Sequence, residues 1–277
     1  MDKMCLIELD AGFANELGEA WYKRFYHPIV RALHIDETRD YMCRDILSEL
    51  LAQHDSQQRQ LESLSPILQN KNVFIFGAGP SLDLDIAGVK NVLKTSRPVI
   101  IAADGAADPL CDMGFEPAVL VSDLDSCSKQ NLELINRDKK KVFVHAHGDN
   151  IQLIRSIVPK LNRNILGTTQ VTSTKNVWNF GGFTDGDRAC YIASHFFPSC
   201  IVIAGMDFGG REGKHSKNQY DASSNPNRSK KLTWGKKSLE FLARKKRNIR
   251  FLNITRFGED LKGITKVSYQ ELTSELA

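Results

Sequence analysis

Val73-Phe74-Ile75-Phe76 is an unbroken apolar run that ends at once in Gly77-Ala78-Gly79-Pro80-Ser81. A strand with one wet face alternates apolar and polar residues. A short run without alternation belongs to a strand covered on both faces, as in a parallel sheet. The pattern recurs at Val99–Ala103, 118–121, 142–145, 164–167, Cys200–Ala204 and 249–253. Between these runs lie helical stretches ending near Lys94, Asn136, Val158 and Phe197, and a last one over 232–246. Strands alternating with helices predict an α/β fold, Rossmann-like, with a mainly parallel sheet and helices on both faces. Such sheets bind ligands in the crevice beyond the C-terminal ends of their strands.

Residues 1–68 read differently, as a small helical N-terminal unit ahead of an α/β catalytic domain over 69–277. Neither Gly nor Pro occurs between Ile29 and Ser65, and Tyr41, Ile46, Leu47, Leu50 and Leu51 fall at helical spacing, with Leu61 and Leu64 weaker. His27-Pro28 is expected to interrupt the first helical segment and Pro66 to close the second. The unit carries no chemical motif. Packing, homodimerisation or covering a site is its expected role.

Composition narrows the class. With 42% hydrophobic and 25% charged residues the chain is an ordinary globular protein, and a formal net charge of +4 does not announce nucleic acid as a partner. Its six cysteines, Cys5, Cys43, Cys111, Cys127, Cys190 and Cys200, form no CxxC pair and read as reduced core residues. No apolar run approaches the roughly 20 residues of a membrane span, and the start lacks the pattern of a signal peptide. A soluble, cytoplasmic protein is expected.

The chemistry-bearing residues follow the strands. Asp123 and Asp125, spaced i, i+2 after the run 118–121, would project to the same side of an extended segment. Like charges that close need a cation, and oxygen-only ligands at a strand end suit Mg²⁺. The competing interpretation is a polar turn that caps the next helix. Gly77-x-Gly79-Pro80-Ser81 favours phosphate at a strand-to-helix turn, or is a tight turn with Ser81 as N-cap. Asp104-Gly105 offers a helix cap, or a hold on a metal water or ribose hydroxyl. His145-x-His147-Gly148-Asp149-Asn150 suits hydrogen bonding to phosphate or substrate better than zinc, because no cysteine accompanies it. In Gly182-Phe183-Thr184-Asp185-Gly186-Asp187-Arg188 the acids can cap a helix or take part in chemistry, and Arg188 suits phosphate or carboxylate. The stretch 209–231 is polar and basic. It reads as a long loop, solvated or acting as a lid hinged at Gly209, Gly210 and Gly213, with Lys214, Lys217, Arg228, Lys230 and Lys231 toward polyphosphate.

Taken in order, these motifs, together with Gly205-Met206-Asp207, resemble the archaeal 6-hydroxymethyl-7,8-dihydropterin pyrophosphokinases over about residues 70–255. That family is similar in fold to the catalytic domain of thiamin pyrophosphokinase. The family pattern has Gly where this chain has Ser126; Ser there is like thiamin pyrophosphokinase and leaves the metal assignment undisturbed. The resemblance implies a transferase that moves diphosphate from ATP to the hydroxymethyl group of a pterin, releasing AMP, with Mg²⁺ on Asp123 and Asp125. Asp185, Asp187 or His147 would accept the hydroxyl proton. Gly77, Gly79, Pro80, Ser81, Asp104, Gly105 and Arg188 would bind nucleotide. His145, Asn150, Gly182, Phe183 and Thr184 would bind substrate, with Phe183 and Trp178 stacking on the heterocycle. A nucleotide-sugar glycosyltransferase of the sialyltransferase-like type shares the Gly-x-Gly-Pro-Ser turn and is the alternative. A nucleotide-binding module without turnover is the third.

Overall fold

The computed structural model describes residues 11–54, 56–137, 140–161, 164–208 and 226–276. Helices come first: α1 (Ala11–Trp21), α2 (His27–Leu33), α3 (Glu37–Leu51), α4 (Gln57–Glu62) and α5 (Ser65–Leu68). Then strands and helices alternate: β1 (Asn72–Phe76), α6 (Leu82–Ser96), β2 (Val99–Ala103), α7 (Ala107–Asp112), β3 (Val119–Ser122), α8 (Lys129–Arg137), β4 (Lys141–Ala146), α9 (Ile151–Ile157) and β5 (Ile165–Thr169). The body closes with β6 (Val177–Trp178), α10 (Asp185–His195), β7 (Cys200–Ala204), α11 (Pro226–Lys245), β8 (Arg250–Asn253), β9 (Thr265–Lys266) and α12 (Leu272–Glu275).

The strands form one sheet in the order β6-β5-β4-β3-β2-β1-β7-β8-β9, and every pair is parallel. The apolar runs are unbroken because successive side chains enter two separate cores. Val73 and Ile75 of β1 pack on one face with α10, α11 and Trp21 to Leu33. Phe74 and Phe76 pack on the other with α3, α6 and α9. The helices before β1 share these cores, with α3 lying on β4, β5 and β6.

The order reverses between β1 and β7. The chain runs outward from β1 to β6, then α10 returns under β3, β2 and β1 to reach β7. This is the switch point where open α/β sheets place their ligands. The return path also brings the start of α10 back beneath the ends of β2 and β3.

Several local expectations are corrected. Pro28 does not interrupt its helix: a widened π turn over Tyr22–Tyr26 leads straight into α2, with Pro28 at its start, where no backbone N–H is required. Pro66 likewise opens α5 instead of closing a helix. The basic stretch after residue 208 is helical from Pro226, so Lys230 and Lys231 sit on α11; Lys214, Lys217 and the glycines at 209, 210 and 213 lie outside the described residues. β6 and β9 were not foreseen, being two residues each. Among the described residues no helix is long and apolar enough to cross a membrane, and five cysteines are free.

Candidate active site

A cavity of about 700 Å³ opens at the C-terminal ends of β1 to β4 and β7, and it gathers most of the strand-end residues in one place. A larger hollow of about 1140 Å³ lies along α11 and β8, lined by aromatic rings and basic side chains with no acid cluster. The strand-end cavity, which gathers the acids, is therefore the candidate active site.

The carboxylates converge there, but not as alternation along a strand would bring them. β3 stops at Ser122, and Leu124 takes φ +71°, a left-handed conformation uncommon for a residue with a side chain. Asp123 and Asp125 thus stand on a tight turn, whose Leu124 amide donates to the Ser122 hydroxyl at 2.8 Å. That hydroxyl in turn donates to Asp104 at 2.5 Å, and Asp104 is itself at φ +44°. Two strained residues at two neighbouring strand ends are where a site holds its groups in place. One oxygen each from Asp104, Asp123 and Asp125 lies within 4.8 Å of the others. Asp104, read from sequence as a helix cap or as a hold on a metal water or a ribose hydroxyl, is thereby a member of the acid cluster.

Burial and the neighbouring Asp123 charge push the Asp104 carboxyl up to about 7. Burial raises Asp123 as well, but the His147 imidazole overrides it and brings that carboxyl below the ordinary range. His147 Nε2 lies 3.2 Å from Asp123 Oδ2. Asp185, first residue of α10, faces the same cavity; burial, then Asp123 and Asp104, hold its carboxyl well above the ordinary range. Among the described residues its Oδ1 is buried without a hydrogen-bond partner. An acceptor left bare beside three other carboxylates fits a divalent cation, and all four acids are oxygen donors of the kind Mg²⁺ takes.

The other acid of the α10 motif has a different fate. Asp187 is fully buried and accepts from the Phe183 amide (2.8 Å), the Thr184 amide (2.6 Å) and the Thr184 hydroxyl (2.6 Å). Its carboxylate closes a capping box, so the cap interpretation holds for Asp187 and removes it from the candidate bases. Arg188 is also fully buried and does not border the cavity; Nη1 donates to the Thr169 and Gly181 carbonyls while Nε and Nη2 have no partner. Burial pulls this guanidinium down to about 10 against the charges of Asp185, Asp187 and Asp40. Its charge lowers the Asp185 carboxyl against burial, and it lines no part of the cavity where the sequence reading had it contact nucleotide. A Cβ at Gly182 would meet the Arg188 backbone at 2.4 Å, so that glycine serves helix packing.

The glycine turn after β1 borders the cavity through Gly77, Ala78, Gly79 and Pro80, but its glycines answer to a neighbouring turn. A Cβ on Gly79 would lie 2.2 Å from Asp207 and 2.5 Å from the Gly205 carbonyl. Ser81 is fully buried and donates to both Asp207 oxygens, at 2.7 and 2.8 Å, instead of facing a nucleotide or capping α6.

His145 is buried, stacks on His147 with centroids 5.5 Å apart, and keeps Nδ1 unpartnered; burial and Arg188 hold it well below the ordinary histidine value. Asn150 and Gly105 are buried off the cavity. Asn150 ties the histidine turn to β3 by donating to the Asp123 and His145 carbonyls at 2.8 and 2.7 Å. Phe183 and Thr184 line the wall, whereas Trp178 is core, tilted against Phe180.

Sequence reasoning missed Arg39 and Asp40 of α3 and gave no role to Gln170 after β5 or to Asp207 of the Gly205-Met206-Asp207 motif, all at the cavity. Covering a site was one expected role of this helical unit, but nothing in its sequence singled out which residues would do so. The one available signal was Asp40 itself, an acid that is 1% exposed on an otherwise apolar face.

Residues 48–213 match the family described as 6-hydroxymethylpterin diphosphokinase MptE-like. The chain is 37% identical over 231 residues to the 6-hydroxymethyl-7,8-dihydropterin pyrophosphokinase of Methanocaldococcus jannaschii, covering 79% of this chain and 92% of the relative. It is 37% identical over 227 residues to the protein of the same name in Pyrococcus furiosus, covering 81% and 93%. A third relative of that name, from Methanothermobacter thermautotrophicus, is 33% identical over 80% of this chain. Among solved structures, a MAf glycosyltransferase of Magnetospirillum magneticum aligns with TM-score 0.48 and 18% identity over 73% of this chain and 34% of its own. Thiamine pyrophosphokinase of Bacillus subtilis aligns with TM-score 0.28 and 22% identity over 51% and 49%.

Proposed function

The chain belongs to the MptE-like 6-hydroxymethylpterin diphosphokinase family and is a pyrophosphokinase, a transferase; from that premise we propose that it transfers diphosphate from ATP to the hydroxymethyl group of 6-hydroxymethyl-7,8-dihydropterin, releasing AMP. The observation that carries the proposal is the convergence of Asp104, Asp123 and Asp125 beside the bare oxygen of Asp185. Asp123, Asp125 and Asp104 would hold Mg²⁺, which supplies charge neutralisation for the polyphosphate.

The chain's own groups do the rest. The substrate hydroxyl oxygen attacks the β-phosphorus in line. The bond from that phosphorus to the bridging oxygen breaks, and its electron pair leaves on the α-phosphate of AMP. Catalysis here is mainly positioning. The hydroxyl proton passes to Asp185 or His147, the two cavity groups left after Asp187 is assigned to its cap. Burial and the neighbouring Asp123 and Asp104 charges hold the Asp185 carboxyl well above its ordinary value, which favours its binding a proton. The backbone of Gly77 to Pro80 borders the phosphates, and Arg39 and Lys231 on the cavity wall add positive charge. The Phe183 ring offers a flat apolar face to a heterocycle.

The fate of a label tests the proposal. ATP labelled at the β-phosphorus, with the pterin alcohol and Mg²⁺, is expected to pass its label to the acceptor with AMP in equal amount. ADP as the stoichiometric product would refute it.

A further inference from the structure

We propose that Asp40, carried by α3, is a positioning residue that fixes the His147 turn against Asp123. The inference rests on the diphosphate-transfer reading of this site and lies outside the matched family segment, which begins at residue 48.

Asp40 is 1% exposed, and among the described residues no lysine or arginine forms an ion pair with it. Its acceptor positions are instead spent on three partners from three parts of the chain. Oδ1 accepts from the Gly148 amide at 2.7 Å. Oδ2 accepts from the Tyr26 hydroxyl at 2.8 Å and the Gln170 side-chain amide at 2.7 Å. A buried carboxylate satisfied by three donors is rigid, and charge-assisted bonds of this kind are short and strong.

The Gly148 bond matters because of what precedes it. His147 is the adjacent residue, and its Nε2 meets Asp123. One helical turn beyond Asp40, the Cys43 thiol donates to Asn150 Oδ1 at 3.3 Å, and the same oxygen accepts the His147 amide at 3.1 Å. Asn150 then reaches the Asp123 carbonyl. Thus α3 grips the turn at Gly148 and at Asn150, both within three residues after the histidine. Space is equally tight, for a Cβ on Gly148 would lie 2.7 Å from that of Arg39. Movement of the helix moves the histidine, and with it the hold on a cluster acid.

A purely structural role for Asp40 would lower the melting temperature and leave turnover per folded molecule unchanged. Asp40→Asn turns the oxygen shared by the Tyr26 hydroxyl and the Gln170 amide into an N–H₂ donor; pairing it with Gln170→Glu gives that donor an acceptor, while the Tyr26 hydroxyl can rotate to accept as well. In the full chain, Asp40→Asn is expected to lower kcat about ten- to thirtyfold, with KM for ATP and for the pterin alcohol within about twofold. Amide hydrogen exchange at Gly148 should speed at least about tenfold. The double variant should recover kcat to within about threefold of the parent. Should Asp40→Asn fail to fold, Asp40→Glu keeps the charge, pushes the turn outward and is expected to show the same kcat loss. Unchanged kcat with only a lower melting temperature, or unchanged Gly148 exchange, would overturn the proposal. A parent that makes no AMP would instead indict the reaction, and Gly148 exchange would still decide the positioning role.

Discussion

The turns after β2 and β3 and the turns after β1 and β7 carry equally dense motifs, yet they use their polar groups in opposite ways. After β1 and β7 the groups satisfy one another. Ser81 serves Asp207, the Gly79 amide donates to the Gly205 carbonyl at 2.8 Å, and Asp85 accepts from the Gly205 amide at 2.7 Å and the Tyr269 hydroxyl at 2.6 Å. After β2 and β3, and at the start of α10, carboxylates crowd together, two backbones are strained and Asp185 keeps a bare oxygen. A motif whose polar groups are all paired is scaffold. One whose groups are left facing a cavity is reserved for a ligand.

The largest expected effect sets the two halves against each other. Asp125→Asn should cut turnover about a thousandfold and leave the melting temperature unchanged or higher, because it removes one of four crowded like charges. Ser81→Ala should do the reverse, costing about 1–3 kcal/mol of stability for a lost hydrogen bond to a buried carboxylate while turnover stays within about threefold. Steady-state rates and urea unfolding on both variants check this. Similar losses of rate in both would break the comparison.

The difference explains what the sequence could and could not show. Unbroken runs such as Val73 to Phe76, alternating with helical stretches, announced strands covered on both faces, as in a parallel sheet. Strand ends announced where the site would lie. Which acid does chemistry was not legible, because Asp185 and Asp187 share one motif and only the hydrogen bonds of the cap tell them apart. Glycines had the same ambiguity: Gly79 makes room for Asp207, and nothing local in the sequence says so. Arg39 and Asp40 were invisible for a different reason. Their role depends on α3 packing over β4 and β5, a contact about a hundred residues distant along the chain.

A smaller effect sharpens the scaffold side. Burial pushes the Asp85 carboxyl up to about 6 from an ordinary 3.8, against its hydrogen bonds from Tyr269 and Gly205. A carboxyl raised in the folded state binds its proton more tightly there than in the unfolded chain. Its favourable contribution is therefore present below pH 3.8 and is lost as pH rises toward 6, a swing of about 3 kcal/mol. Asp85→Asn removes the titration. Relative to the parent, the variant should gain stability progressively between about pH 4 and 6.5 and level off above, as read by urea unfolding across that range. A difference that does not vary with pH would place Asp85 in the ordinary range.

The central claim is that the acids after β2 and β3 form a cation site while the satisfied turns after β1 and β7 do not. Mn²⁺ binding, followed by the paramagnetic signal of the free ion, tests it without any turnover. The parent should bind one ion, Asp123→Asn should bind at least about thirtyfold more weakly, and Asp207→Asn should bind as the parent does. Equal binding by Asp123→Asn and the parent would contradict the account.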